Sequence, residues 1–265
     1  MRWISGIFTG LLLLFPFLDT LDSRAEEKRS LDVGLIEFNS LATIEGQQAD
    51  GLIVEYARDI LLAANLPLQY QAVSIGRSLE QLRSNRLDLV LMLFRTPERA
   101  AYTRYSRLPL LWLNVGVCTR TELHKQPLAS SSRLVHVRGA LLPSVLRDLP
   151  RLPVSGENAQ LRMLQMLLKN RVDAIYTPKP EALLLAAHQA GIEAALHCYE
   201  FKNIRMAMHL GFARNLPADV VQRLEDALQK KLQTESFENF LERRLAENGI
   251  ASPPLELIDP MEILP

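Results

Sequence analysis

Hydrophobic positions along the chain fall into two rhythms that alternate. Leu31-Asp32-Val33-Gly34-Leu35-Ile36 reads as a strand, followed by a polar loop turned by Glu45-Gly46 and Asp50-Gly51. From Leu52 to Asn65 the apolar residues Ile53, Tyr56, Ala57, Ile60, Leu61 and Ala64 recur at helical spacing, and Pro67 closes the segment. Leu68 to Val73 alternates as a strand does, and Arg77 to Asn85 is helical again. Leu89 to Leu93 is an unbroken apolar run, suited to a parallel strand buried on both faces. A long apolar segment, Leu108 to Thr119, then leads to a second unit. There Arg133 to Arg138 reads as a strand, Gly139 breaks it, and a short helix is expected to about Asp148. The helix from Glu157 to Asn170 carries Leu161, Leu164, Met166, Leu167 and Leu168. A brief strand follows at Asp173 to Tyr176, then a helix from Lys179 to Ala190 with Gly191 as its C-terminal cap. Glu193 to Tyr199 and Ile204 to Phe212 read as extended, and helices at about Ala218 to Gln233 and Ser236 to Asn248 precede a Pro-rich tail.

Strands that alternate with helices imply parallel pairing through crossover helices, so the fold class is α/β in two units. The second unit is inserted into the first if the last two helices return to pack on the opening one.

The N-terminus changes the picture by compartment. Arg2 precedes an apolar stretch from Ile7 to Leu18, too short to span a bilayer comfortably, and Ser23-Arg24-Ala25 offers small residues for cleavage. Residues 1–25 are therefore expected to be a cleaved signal peptide, and the mature protein an exported one of the periplasm. An uncleaved membrane anchor is the other reading. The sequence has 30 basic and 30 acidic residues, and the proposed signal takes Arg2, Arg24, Asp19 and Asp22, so the balance stays neutral. A neutral chain without a basic run is poorly suited to nucleic acid or to anionic lipid. In an oxidising compartment the two cysteines, Cys118 and Cys198, form either a disulfide or two buried thiols. The five histidines show no metal-ligand spacing, and no phosphate-cradling loop or nucleophile elbow is present, so no metal and no cofactor are expected.

The strongest chemical signal is Arg95-Thr96-Pro97-Glu98-Arg99, continued to Tyr105-Ser106 and set directly after the Leu89–Leu93 run. A hydroxyl, backbone N–H groups and a guanidinium at the C-terminal end of a strand suit an anion, because the guanidinium can donate two parallel hydrogen bonds to a carboxylate.

Together with its neighbours this stretch resembles the family 3 extracellular solute-binding proteins, whose type II periplasmic-binding fold includes polar amino-acid receptors of ABC importers. The resemblance spans nearly all of the mature chain. Asp50-Gly51-Leu52-Ile53-Val54-Glu55 is similar to the Gly-led opening of the family's first helix. Leu79 to Leu93 is similar to its helix–strand unit, with Asn85 where Gly is usual, and Leu164 to Ala174 repeats that unit. Thr96-Pro97-Glu98-Arg99 with Tyr105-Ser106 resembles its T-x-x-R…F/Y-S stretch, and Met206 to Arg214 its returning hinge strand.

The resemblance implies two lobes joined by two crossing strands, here about Leu110 to Val117 and Ile204 to Phe212, with solute held between them. It implies residues 26–110 in the first lobe, 111–207 in the second, and 208–265 back in the first. Cys118 and Cys198 then lie on the second-lobe side of the crossing strands, which favours a bridge. Arg99 falls on the arginine that holds a ligand carboxylate; pairing with Glu98 at the surface is the alternative. Thr96 either assists it or only caps the next helix. Phe38, Phe94 and Trp112 are candidate apolar walls of the cleft, with core packing as the alternative. Arg77 and Arg138 either face the cleft or are solvated, and Thr177 stands near the second-lobe ligand position.

The chain departs from the family at informative places. Phe94 stands where Ser or Thr is usual, Ala140 replaces a hydroxyl residue after Gly139, and Thr177-Pro178 replaces the Asp that holds an α-ammonium. A buried ammonium without a partner is costly. This argues against ordinary amino-acid binding and leaves an anionic or aromatic solute open. The expected protein is a monomeric receptor that closes on a small solute and engages an ABC permease or a sensor receptor. The alternatives are a lyase or dehydratase in the same cleft, with Glu181 the nearest carboxyl, or a relic receptor acting as an interaction module.

Overall fold

The computed structural model describes residues 30–36, 41–45, 48–156, 158–189, 191–192, 196–247 and 255–263. The signal segment and Phe38 lie outside them. In chain order the elements are β1 (Leu31–Leu35), β2 (Thr43–Glu45), β3 (Gln48–Asp50), α1 (Leu52–Leu62), β4 (Leu68–Ala72), α2 (Ile75–Arg83), β5 (Leu89–Phe94), α3 (Pro97–Ala100), β6 (Arg104–Tyr105) and β7 (Leu111–Thr119). Then come β8 (Leu134–Val137), a turn of 3-10 helix (Ser144–Leu146), β9 (Arg151–Val154), α4 (Ala159–Leu168), β10 (Ala174–Thr177), α5 (Pro180–Gln189) and β11 (His197–Phe212). The chain finishes with α6 (Ala218–Thr234), α7 (Phe237–Glu247), β12 (Glu256–Ile258) and α8 (Pro260–Ile263). No helix among the described residues is long and apolar enough to cross a membrane.

Eight of the described strands form one continuous path, β4-β1-β5-β11-β7-β10-β8-β9; β6 and β12 pair with β11 off that path, and β2 and β3 form a separate pair. At one end β4, β1 and β5 are parallel, and at the other β10, β8 and β9 are parallel. Between them run β11 and β7, antiparallel to each other over their whole paired length. The fold is thus two α/β lobes, the second inserted into the first, joined by two crossing strands.

Each parallel end is built from the same local device. A helix ends in Asn85 or Asn170, both in the left-handed conformation (φ 56° in each) that Asn tolerates better than most side chains. Three residues later a carboxylate, Asp88 or Asp173, accepts the backbone N–H of Asp32 or Arg133 beside the neighbouring strand. That explains why the helix–strand unit recurs in sequence, and why Asn85 substitutes for Gly without loss of the turn.

The first lobe closes when the C-terminal helices return. Phe237 meets Tyr56 of α1 edge-on with ring centroids 5.3 Å apart, and the Tyr56 hydroxyl donates to the Glu235 carbonyl at 2.8 Å. Burial and the nearby Glu238 and Glu235 carboxylates push the Tyr56 phenol well above its ordinary range, which keeps it a donor. The tail behaves otherwise than expected for 208–265. β12 pairs with Tyr199–Phe201 of β11, and Ile258 and Ile263 bury themselves in the second lobe's core with Tyr199 and Phe201. Apolar residues of the last segment find the sheet edge exposed there, not the first lobe.

Other differences have local causes. The helix expected after Gly139 is only a single turn, because Pro143 precedes it and disfavours helical geometry at Leu142. Arg151–Val154 forms an edge strand despite Pro153, which is tolerated where one side of the strand needs no donor. The polar stretch before α1, expected as a loop, contains the antiparallel pair β2–β3, with Thr43 opposite Asp50 and Glu45 opposite Gln48.

The crossing strands set the geometry of everything between the lobes. Their register runs from Cys198 opposite Cys118 to Glu200 opposite Gly116, then resumes with Arg205 opposite Asn114. β11 thus carries extra residues at this point, and Asn203 takes a left-handed conformation (φ 60°) within them. The two extended segments expected from sequence are one strand bent here. A Cβ on Gly116 would lie 1.8 Å from the Tyr199 carbonyl oxygen, so only glycine allows the strands to approach this closely. Cys118 and Cys198 are joined as a disulfide, with their Cα atoms 4.1 Å apart.

Beside this bend sits a carboxyl pair. Burial first, then the Glu181 carboxylate, pushes the Glu200 carboxyl up to about 7, against the pull of Lys179. Glu200 is also near Asn114, and Lys179 Nζ donates to Glu181 at 2.7 Å.

Two outcomes are expected. Replacing both Cys118 and Cys198 by Ala opens a loop of sequence separation 80 and should lower unfolding free energy by roughly 2–4 kcal/mol in denaturant titration; a loss below about 1 kcal/mol would show that the strand pairing already supplies this order. Folded Glu200 keeps its proton up to about pH 7, whereas an unfolded carboxyl near 4.5 has released it well before. The folded state binds more protons across that window, so wild-type stability should fall as pH rises from about 5 to 8. Glu200→Gln should flatten that slope in melts across the same range.

Candidate functional site

Between the lobes lies a cleft of about 810 Å³, counted out to its open side. Its walls are apolar from both lobes: Ile53, Ile75, Met92 and Phe94 on one side, Val137, Ala140, Met163, Tyr176 and Pro178 on the other. Leu113 and Met208 of the crossing strands also face it. The described residues lining it include two cations, Arg99 and Lys179, and no Asp or Glu.

Arg99 reaches this position through a short chain of local rules. Thr96 caps α3, its hydroxyl accepting the Arg99 backbone N–H at 3.2 Å, and Pro97 occupies the first turn where its missing N–H does no harm. That fixes Arg99 one turn above the end of β5. Its Nη1 donates to the Phe94 carbonyl and its Nη2 to the Gly139 carbonyl, each at 3.2 Å. The second bond crosses from one lobe to the other. The Tyr105 hydroxyl also donates to the Phe94 carbonyl, and burial pushes its phenol up to about 12 despite the lowering influence of Arg99.

The Gly139 contact has a steric basis. Gly139 has φ 84°, and a Cβ there would stand 3.1 Å from Ile75 at the start of α2. Glycine thus lets the second-lobe turn approach the first lobe and present its carbonyl to Arg99. The lobes already touch along this edge.

The sequence-derived candidates divide cleanly. Arg99, Phe94 and Thr177 line the cleft, while Thr96 stands behind Arg99 as its cap. The Thr177 hydroxyl donates to the Lys179 carbonyl and accepts the Lys179 N–H, each at 3.2 Å, so it folds the turn after β10. Trp112 does not line the cleft: it is 42% exposed, with the Arg205 guanidinium 5.5 Å from its ring centroid. Strand alternation puts it on the opposite face from Leu111 and Leu113, and Leu113 takes the cleft position instead. Arg77 is exposed in the first turn of α2, where Ile75 is the residue that faces inward. Arg138 is exposed too; its backbone N–H donates to Val154, and Val137 and Ala140 line the wall on either side.

Among the cleft residues that were not foreseen, Lys179 and Gln160 carry polar chemistry. Lys179 is only 6% exposed and pairs with Glu181. Gln160 is 3% exposed, in the first turn of α4. A signal for Gln160 exists in the sequence: Gln160, Met163, Leu164 and Leu167 follow helical spacing, and a polar residue interrupts that buried stripe. The stripe chosen from apolar content alone begins at Leu161, which is exposed. No group of His, Cys, Asp and Glu among the described residues is arranged to hold a metal ion.

Comparison with known proteins agrees with this architecture. The GluR0 ligand-binding core in complex with L-glutamate has TM-score 0.68 and 16% identity, covering 82% of this chain and 98% of that one. An amino acid ABC transporter substrate-binding protein from Streptococcus pneumoniae, bound to L-arginine, has TM-score 0.66 and 16% identity, with 82% and 94% covered. The VFT2 domain of Bordetella pertussis BvgS, as a double mutant, has TM-score 0.66 and 14% identity, with 83% and 94% covered. No curated protein matches the sequence. At these identities the structures speak to the fold, a two-lobed one. The family of bacterial extracellular solute-binding proteins, family 3, matches residues 35–243, and the chain belongs to it.

Proposed function

We propose that the protein is a periplasmic receptor that closes on a small carboxylate-bearing solute and hands it to an ABC permease or reports it to a sensor receptor. One observation carries the reading: a half-buried guanidinium, Arg99, faces an apolar cleft with no acid among its described lining residues. The solute carboxylate would displace the Gly139 carbonyl from Arg99, and this exchange is favourable because a guanidinium binds a full anion, with two parallel hydrogen bonds, more strongly than it binds one uncharged carbonyl. Phe94 and the walls around it would cover the apolar body of the solute.

Closure follows from contact with both lobes. A ligand that touches one lobe alone leaves the balance of open and closed forms unchanged, so solute must add contacts on the second lobe. The bend in β11 at Phe201–Ile204 is the place where rotation is absorbed. A monomer suffices for this mechanism, and the surfaces that change on closure are those that a permease or sensor would read.

The amino acids named with the neighbouring structures are poor fits as they stand. Where an α-ammonium needs a carboxylate, this chain offers Thr177, whose hydroxyl is engaged with Lys179, and Pro178. Organic and aromatic acids suit the cleft better. An enzymatic reading has less support: Glu181 is held by Lys179 and does not line the cleft.

Thermal-shift screening against amino acids, dicarboxylates and aromatic acids tests the reading. A true solute at about 100 times its Kd adds roughly 2.7 kcal/mol and raises the melting temperature. Arg99→Ala should abolish that rise and weaken binding by about tenfold or more in calorimetry. A response to neutral compounds only, or one that survives Arg99→Ala, would contradict it.

A further inference from the structure

Among the described residues, each polar side chain that lines the cleft on the second lobe has a partner, except one. The Thr177 hydroxyl is used within its own turn, the Lys179 ammonium is paired with Glu181 at 2.7 Å, and the Tyr176 hydroxyl donates to the Leu141 carbonyl at 2.8 Å. Gln160 differs. Its side chain lines the cleft at 3% exposure, and neither its Oε1 nor its Nε2 has a hydrogen-bond partner among the described residues. A primary amide has two donors and an acceptor, and leaving both ends unsatisfied in a buried position is unfavourable. A helix that buries Met163, Leu164 and Leu167 on the same stripe would gain stability from Leu or Met at that position.

We propose that Gln160 is the second-lobe ligand-binding residue, and that it reads a neutral group which both donates and accepts, a hydroxyl or a carboxamide, on the carboxylate solute. This rests on the carboxylate reading given above. The choice of group follows from the amide itself. An ammonium satisfies Oε1 only and a carboxylate satisfies Nε2 only, whereas a hydroxyl or carboxamide engages both atoms. The placement supplies what closure requires: Arg99 grips from the first lobe and Gln160 from the second. It also accounts for the residues missing from the second lobe, since Ala140 and Pro178 leave Gln160 as its unengaged polar contact.

The test uses matched acids on wild type, Gln160→Leu and, in case Leu misfolds, Gln160→Met. One pair is 2-hydroxy-3-phenylpropanoate and 3-phenylpropanoate; the other is succinamate and its apolar isostere 4-methylpentanoate. Wild type should bind the polar member of at least one pair on the order of tenfold more tightly than its partner. Both variants should bring that ratio close to one. Without any ligand, both variants should melt about 2–4 °C higher than wild type, because an unsatisfied buried amide has been removed. Lower ligand-free melting in both variants would show that Gln160 serves the fold, and an unchanged ratio would show that it does not read the solute; either overturns the inference. Should both members of each pair bind equally and Arg99→Ala abolish both, Gln160 loses its role while the carboxylate reading stands. If no acid shifts the wild-type melt, both fall together.

Discussion

The pairing of β7 with β11 is the constraint on which the rest depends. These two strands are the only route in the described sheet between the parallel ends, so the position of each cleft wall is inherited from their register. Three features hold that register. Gly116 permits an approach that any side chain would block, the Cys118–Cys198 link ties the second-lobe end, and the bend after Glu200 locates the change of direction. Because side chains alternate on a strand, this register also decides which residues see the cleft. Leu113 and Met208 face it, and Trp112 is turned to solvent.

Much of the architecture was legible in the chain because its elements carry strong, simple periodicities. The helical stripe read from Ile53 to Ala64 is buried at each of its positions, though α1 itself ends at Leu62, and the apolar run of β5 is buried at every residue. The return of the last helices onto α1 was open from sequence, and the Tyr56–Phe237 contact closes it. What was hidden depends on tertiary context. The edge strand β9 contains a proline, and β12 has no pattern of its own beyond three residues that find an open edge on β11. Neither signal exists before the sheet does.

The cleft follows the same division. Arg99, Thr96 and Phe94 belong to one contiguous stretch whose capping chemistry is local, and the structure keeps them together. Trp112, Arg77 and Arg138 were drawn from residue type and approximate place, without the register that sets their direction. Gln160 shows the converse error. The stripe read on this helix took apolar residues only and began at Leu161, which is exposed, so it passed over Gln160 and Met163 while including the buried Leu164 and Leu167. In a binding protein a polar residue on a buried stripe is more informative than another apolar one, since packing alone gives no reason to keep it.

The hydrogen bond from Arg99 to the Gly139 carbonyl has a consequence for selectivity. On the proposed reading, an incoming molecule that takes this Nη2 donor must evict an acceptor that is already in place. An uncharged guest merely trades one neutral oxygen for another and leaves the balance where it was. Only an anion shifts it, so the turn at Gly139 works as a threshold that sorts arrivals by charge before their shape is felt.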